Sequence, residues 1–277
     1  MASRAAAAAA VAVLALALLA SGCGGGDETA APTTDTAAET TTDTTAATSD
    51  RAKFPDLKPA GPAKPGTSST IANYRPGSYQ SMSQFLTVAL NRVDAYWTRI
   101  FRNSGIREPF VNYNWLAPGS SVQPNCLGGP TNDESAMYCP GDDTIYISRV
   151  VARNFWEGFL GSKRAKVYPG AFGLAYVVAH EYGHNIQTEL GIYSTRPTVK
   201  LHELQADCLA GVFANSEYYA GVLDAGDVQR AISKADFLGD YNYNNAGHHG
   251  TPAERVTAWK LGYNTGSPDR CRNTYLP

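Results

Sequence analysis

Apolar positions recur along this chain mostly three and four residues apart, and that spacing predicts a largely helical protein. Between Ser81 and Phe101 the residues Met82, Phe85, Leu86, Ala89, Leu90, Val93, Trp97 and Ile100 fall on one side of an amphipathic helix. From Phe172 to Leu190 the apolar residues Phe172, Tyr176, Val177, Val178, Ala179 and Ile186 predict a second helix with a broad buried face. Pro169-Gly170 precede it and Gly191 follows it, a start and a left-handed stop. A third helix opens after Pro197-Thr198 and carries Leu201, Leu204, Cys208, Leu209, Val212 and Phe213 at helical spacing. Segments 153–165, 224–239 and 251–262 read as further helices. Period-two alternation is confined to 109–115 and to Thr144–Ser148, the latter following a Gly141-Asp142-Asp143 turn, and predicts strands there. The fold class expected is α+β, mostly helical, with a small β-sheet at one end.

Composition changes along the chain and divides it. Arg4 followed by an unbroken apolar run from Ala5 to Ala20 has the form of an export signal, too short and alanine-rich to be read as a spanning helix of about 20 residues. The run ends at Leu19-Ala20-Ser21-Gly22-Cys23, which resembles a bacterial lipobox with its leucine one place early. Residues 1–22 are therefore expected to be a signal peptide of lipoprotein type and Cys23 a lipidation site, the alternative being plain secretion. Residues 23–70 combine Gly24-Gly25-Gly26, a Thr/Ala/Asp tract and the prolines Pro55, Pro59, Pro62 and Pro65. Such a segment has little apolar surface to offset the entropy of ordering, and reads as a linker. The remainder, 71–277, is long enough for one domain with a substantial core. A net charge of −2 gives no basic stripe, which argues against a nucleic-acid partner.

Apart from Cys23 the cysteines are Cys126, Cys139, Cys208 and Cys271, an even number that favours disulfides in an exported chain. Three pairings are possible in principle. We favour Cys126–Cys139, closing a short loop, and Cys208–Cys271, stapling the C-terminus to the third helix. A zinc-ligand role for a cysteine finds no Cys-x-x-Cys pair to support it.

The chemistry concentrates in His180-Glu181-Tyr182-Gly183-His184. On a helix, histidines four apart project from one face and can grip one zinc ion, and Glu181 is placed as the base for a metal-activated water. Glu203, nineteen positions past His184 on the next helix, completes a His/His/Glu set that leaves a position open, as catalytic zinc sites do. Asp207, one turn further on, can accept the second N–H of a ligand imidazole, that of His180 being favoured. Gly183 inside the helix suggests a close approach by another backbone. In zinc peptidases an edge strand beside the metal binds the substrate backbone, and Thr144–Ser148 is the candidate for that role. His248 and His249 lie in a glycine-punctuated loop, and His249 is the better candidate to stabilise an oxyanion. His202 is expected to point off the ligand face.

The blocks Ala179–Gln187 and Glu203–Gly211, with Tyr138-Cys139-Pro140, Thr144–Ile147, His249-Gly250-Thr251 leading into Glu254-Arg255-Val256, and Gly262–Gly266, resemble the bacterial family named putative neutral zinc metallopeptidase. The resemblance covers about residue 80 to the end. It implies a mostly helical, zincin-like metallopeptidase domain that uses Zn2+, with His180, His184 and Glu203 as ligands and Glu181 as base, as in thermolysin-type ligand sets. His202 and Asn185 depart from the family's blocks without touching a ligand. The expected function is an extracytoplasmic zinc-dependent peptidase, lipid-anchored at the outer face of the cell membrane and acting on a peptide or protein substrate. The alternative is a zinc-binding cell-envelope scaffold that does not cleave.

Overall fold

Helix α1 (Tyr79–Ser104) buries the first predicted stripe: Phe85, Leu86, Ala89, Val93, Trp97 and Ile100 are all inaccessible to solvent. The structure, a computed structural model, describes Leu57 and residues 79–126, 129–158, 170–192 and 198–275. The expected signal peptide, Cys23 and nearly all of the expected linker lie outside the described residues. Leu57 is the exception, at 2% exposure, with its N–H donating to Asp269 Oδ1 at 3.2 Å. No helix among the described residues is long and apolar enough to cross a membrane.

Three strands follow α1: β1 (Asn112–Leu116), β2 (Ala136–Cys139) and β3 (Thr144–Ser148). They form one sheet in the order β1-β3-β2, with β1 parallel and β2 antiparallel to β3. This corrects the expectation that Thr144–Ser148 is an edge strand. It is central and buried at every position, so both rows of its backbone groups are already paired and it has none to offer a peptide. The strand at the edge near the helices is β2, whose Ala-Met-Tyr-Cys sequence carries too short an alternation to be read as a strand.

Helix α2 spans Arg149–Glu157, not 153–165. Ser148 caps its first turn by accepting from the Val150 N–H, and Gly158, at φ 76°, ends it in the left-handed conformation that glycine adopts without penalty. Helix α3 (Ala171–Glu189) is buried on all sides from Ala171 to Gln187 because α1, α2, β2 and two later helices surround it. Those later helices are α4 (Val199–Tyr219), capped by Thr198, and α5 (Ala225–Leu238), opened by an Asp224/Asp227 capping box. Helix α6 (Pro252–Thr265), with a Thr251/Glu254 capping box, and the short α7 (Pro268–Tyr275) complete the fold.

Two helix crossings position the chemistry. At the first, α3 meets α4 at Gly183, where a Cβ would sit 3.1 Å from the Ala206 Cα, so the close approach expected from that glycine is present. The second is tighter. A Cβ on Gly262 would lie 1.8 Å from the Cys208 carbonyl oxygen, and one on Gly211 would lie 2.1 Å from that of Trp259. Backbone meets backbone there, which holds α6 against the helix bearing Glu203 and Asp207. Both expected disulfides are formed, Cys126–Cys139 and Cys208–Cys271, the second tying α7 to α4.

Beneath this assembly Lys234 is fully buried, its Nζ donating to the Phe155 carbonyl at 2.7 Å and its stem passing over Gly173. Burial pushes its pKa from 10.5 down to about 7. The folded protein therefore binds fewer protons than the unfolded chain between those values. The cost of Lys234 is then largest below about pH 7 and fades as pH rises toward 10.5. Lys234→Met is expected to raise the melting temperature by several degrees at pH 7, with the gain shrinking toward pH 10. Thermal melts across that range check it, and a gain that does not vary with pH contradicts it.

Candidate metal centre

Four residues apart on α3, His180 and His184 present their imidazoles side by side, ring centroids 4.8 Å apart. Helix α4 returns antiparallel and brings the Glu203 carboxylate to both. The separations are 3.2 Å between the two Nε2 atoms, 3.1 Å from His180 Nε2 to Glu203 Oε2, and 3.3 Å from His184 Nε2 to Glu203 Oε1. A tetrahedral zinc with bonds of about 2.0–2.1 Å requires donor-to-donor edges of roughly 3.3–3.4 Å. The two Glu203 distances end on different oxygens of one carboxylate, and taking one donor from each residue all three lie within 4.8 Å of one another, so two imidazoles and a carboxylate fit the ion in chemistry and converge on one position.

Each ligand candidate is held from behind. Asp207 Oδ1 accepts from His180 Nδ1 at 2.9 Å, the contact expected from the sequence. The same oxygen accepts from the Tyr176 hydroxyl. His184 Nδ1 lies 2.9 Å from Gln187 Oε1, and Gln187 is anchored in turn by donating to the His202 carbonyl at 2.7 Å. Such contacts set the tautomer that leaves each Nε2 free for a metal. Arg255, from the first turns of α6, closes the group. Its Nε donates to Asp207 Oδ2 at 2.7 Å and its Nη2 to Oδ1 at 3.0 Å, and Nη2 lies 3.6 Å from Glu203 Oε2.

The electrostatics follow from burial and these neighbours. Burial alone would lower the His180 pKa, but Asp207 and Glu203 raise it to about 10. An environment that favours positive charge on that ring also favours a cation at its Nε2. Burial likewise opposes ionisation of Glu203, yet the two histidines hold its carboxyl well below the usual carboxylate range. Glu181 differs: burial pushes its carboxyl up, with only partial relief from the histidines and from the nearby Tyr138 backbone. A raised carboxyl beside the triangle suits a group that takes up and returns a proton.

These residues line one cavity of about 620 Å³, walled by Met137 and Tyr138 of β2, Val177 of α3, and Phe155 and Leu238. His249 lines it too, half exposed, with its N–H donating to Asp240 Oδ2 at 2.9 Å and its Nδ1 3.5 Å from the same oxygen. His248 is buried instead, its Nδ1 2.5 Å from Asp240 Oδ1. His202 lines the cavity as well, outside the triangle.

A known family matches residues 50–275 of the chain, the one described as "Putative neutral zinc metallopeptidase". The chain belongs to this family. The cofactor the family implies is zinc, in agreement with the donor triangle. Relatives include "Uncharacterized protein YpfJ" of Escherichia coli (strain K12), 30% identical over 70% of this chain and 71% of the relative. Another is "Uncharacterized protein Rv2575" of Mycobacterium tuberculosis (strain ATCC 25618 / H37Rv), 32% identical over 65% of this chain and 67% of the relative. No solved structure matches the chain.

Two members of the site escaped the sequence reading. Gln187 sits three residues past His184, a helical neighbour, so its spacing was a usable signal. Arg255 lies 48 residues from Asp207 on a different helix; it falls in the Glu254-Arg255-Val256 block that resembles the family, but no spacing links it to the donors.

Proposed function

We propose that this protein is a zinc-dependent peptidase that hydrolyses peptide bonds in the cavity over the His180–His184–Glu203 triangle. The observation that carries the reading is the buried Glu181 carboxyl beside three donors spaced for one zinc ion. His180, His184 and Glu203 would hold the zinc, which when bound would polarise the scissile carbonyl and acidify a water toward a pKa of about 7. Glu181 accepts the proton of the attacking water and returns it to the leaving amine. Asp207 and Gln187 keep the imidazoles turned toward the ion. His249, braced by Asp240, donates to the oxyanion that develops on the scissile carbonyl.

Substrate alignment falls to β2 in this reading. The Ser148 N–H bonds the Ser135 carbonyl, so in this antiparallel register the alternate residues Ala136 and Tyr138 present their N–H and C=O away from β3. An extended peptide adding to that edge lies along the cavity with its backbone bound and its side chains sampling the walls. Export and anchorage through Cys23 complete the proposal. Their support is the apolar run ending at Ser21-Gly22-Cys23, together with two disulfides of the kind that persist in oxidising compartments.

The test is incubation of the purified chain with an unfolded protein, with and without a metal chelator. Cleavage is expected to stop with chelator and to return when zinc is restored. Stoichiometric zinc uptake with no cleavage of any denatured substrate points instead to a non-cleaving zinc scaffold. Cleavage indifferent to chelator overturns the metal mechanism.

A further inference from the structure

Arg255 is a cation built into the metal centre. Its guanidinium is 3% exposed, and one nitrogen, Nη2, stands 3.0 Å from Asp207 Oδ1 and 3.6 Å from Glu203 Oε2. The same nitrogen lies 3.4 and 3.5 Å from the two ring nitrogens of His180. Two carboxylates buried this close repel one another and are costly to desolvate unless a positive charge stands between them. Arg255 supplies that charge from within the chain. Its Nη1 also donates to the Leu238 carbonyl at 3.1 Å, so the group is fixed at the end of α5 as well. The tight α4–α6 crossing at Gly262 holds the helix that delivers it.

We propose that Arg255 acts as a resident counter-cation, keeping Glu203 and Asp207 assembled before metal arrives and opposing the metal once it is bound. The inference rests on the ligand assignment proposed above. By linkage, a charge that stabilises the metal-free site more than the loaded one weakens metal binding. Arg255 thus sets zinc affinity below what the donors alone would give, and it keeps the empty domain folded. A purely orienting role predicts the reverse: losing a group that braces a ligand imidazole weakens metal binding, typically 10–100-fold. The two roles can be told apart because Asp207 does not need Arg255 to hold His180. In the intact site Asp207 Oδ1 already bonds both the Tyr176 hydroxyl and His180 Nδ1, two contacts that do not pass through the guanidinium.

The experiment measures the zinc dissociation constant of the full chain by competition with a chromophoric chelator, for wild type, Arg255→Gln and Arg255→Lys. Thermal melts are recorded in parallel with zinc and with chelator. Arg255→Gln is expected to bind zinc at least about tenfold more tightly than wild type. It should also lose more melting temperature in chelator than in zinc. Arg255→Lys, which keeps the charge but loses the two-pronged contact to Asp207, is expected to bind zinc less tightly than Arg255→Gln. Weaker zinc binding in Arg255→Gln, or equal destabilisation with and without metal, overturns the proposal. Should that variant fold in neither condition, the wild type decides: loss of its cooperative unfolding transition in chelator overturns the proposal, and its retention upholds the resident charge. Absence of stoichiometric zinc binding in wild type is a different result, which removes the ligand assignment itself.

Discussion

Replacing Glu181 by glutamine is expected to lower the rate of peptide hydrolysis by roughly 10²–10⁴-fold while one zinc ion stays bound. The amide keeps the size of the side chain, so the cavity should retain its shape. It cannot take a proton from water at neutral pH. His180, His184 and Glu203, whose donors lie within 4.8 Å of one another, are untouched by the change. Metal analysis and a peptide-cleavage assay on the same preparation separate the two effects. An active variant sinks the proposed mechanism. A variant that has lost its zinc would mean that Glu181 holds the site together rather than working in it. Burial raises the Glu181 carboxyl. The acidic limb of the rate profile, where the base becomes protonated, is therefore expected above the pH of an ordinary glutamate and should vanish in the variant.

Removing the Cys208–Cys271 bridge by double alanine substitution is expected to cost about 4 kcal/mol on the chain-entropy estimate. For a domain of this size that corresponds to a fall in melting temperature of roughly 8–16 °C. The large value follows from the sequence separation of 63 residues, which leaves the unfolded chain much freer without the link. Both cysteines are fully buried, so the bridge is protected in the folded state, and the substitution also leaves small cavities. Cys208 directly follows Asp207, and the bridge ties the α4 turn bearing Asp207 to α7. Zinc affinity is therefore expected to weaken together with stability. Thermal unfolding of the double variant with zinc present is the measurement, and a shift of less than about 2 °C contradicts the assignment.

Much of the site was legible because its logic is local. A separation of four residues puts two histidines on one helical face whatever the rest of the chain does, and Glu203 and Asp207 share a face for the same reason. The helices α1, α3 and α4 were also readable, since each carries a sustained apolar period and recognisable ends. The misplacement of α2 arose where the periodic signal is weak. Its actual limits are set by the Ser148 cap and by Gly158, both of them single-residue events. The strand β2 is four residues long, and what makes it a strand is its pairing with β3 rather than its own sequence.

What depended on tertiary structure was which elements became neighbours. Thr144–Ser148 reads as a strand in sequence, but only the pairing of β1 on one side and β2 on the other decides that it is central and that β2 is the edge. Gly211 and Gly262 look like ordinary glycines until α4 and α6 cross backbone to backbone, and that crossing carries Arg255 to Asp207. The sequence by itself determined where the candidate donors and the candidate base lie, because short-range helical geometry follows from spacing alone. The Arg255 guanidinium beside the donors and the strand that faces them come from chain-distant segments, which packing brings together and periodicity cannot encode.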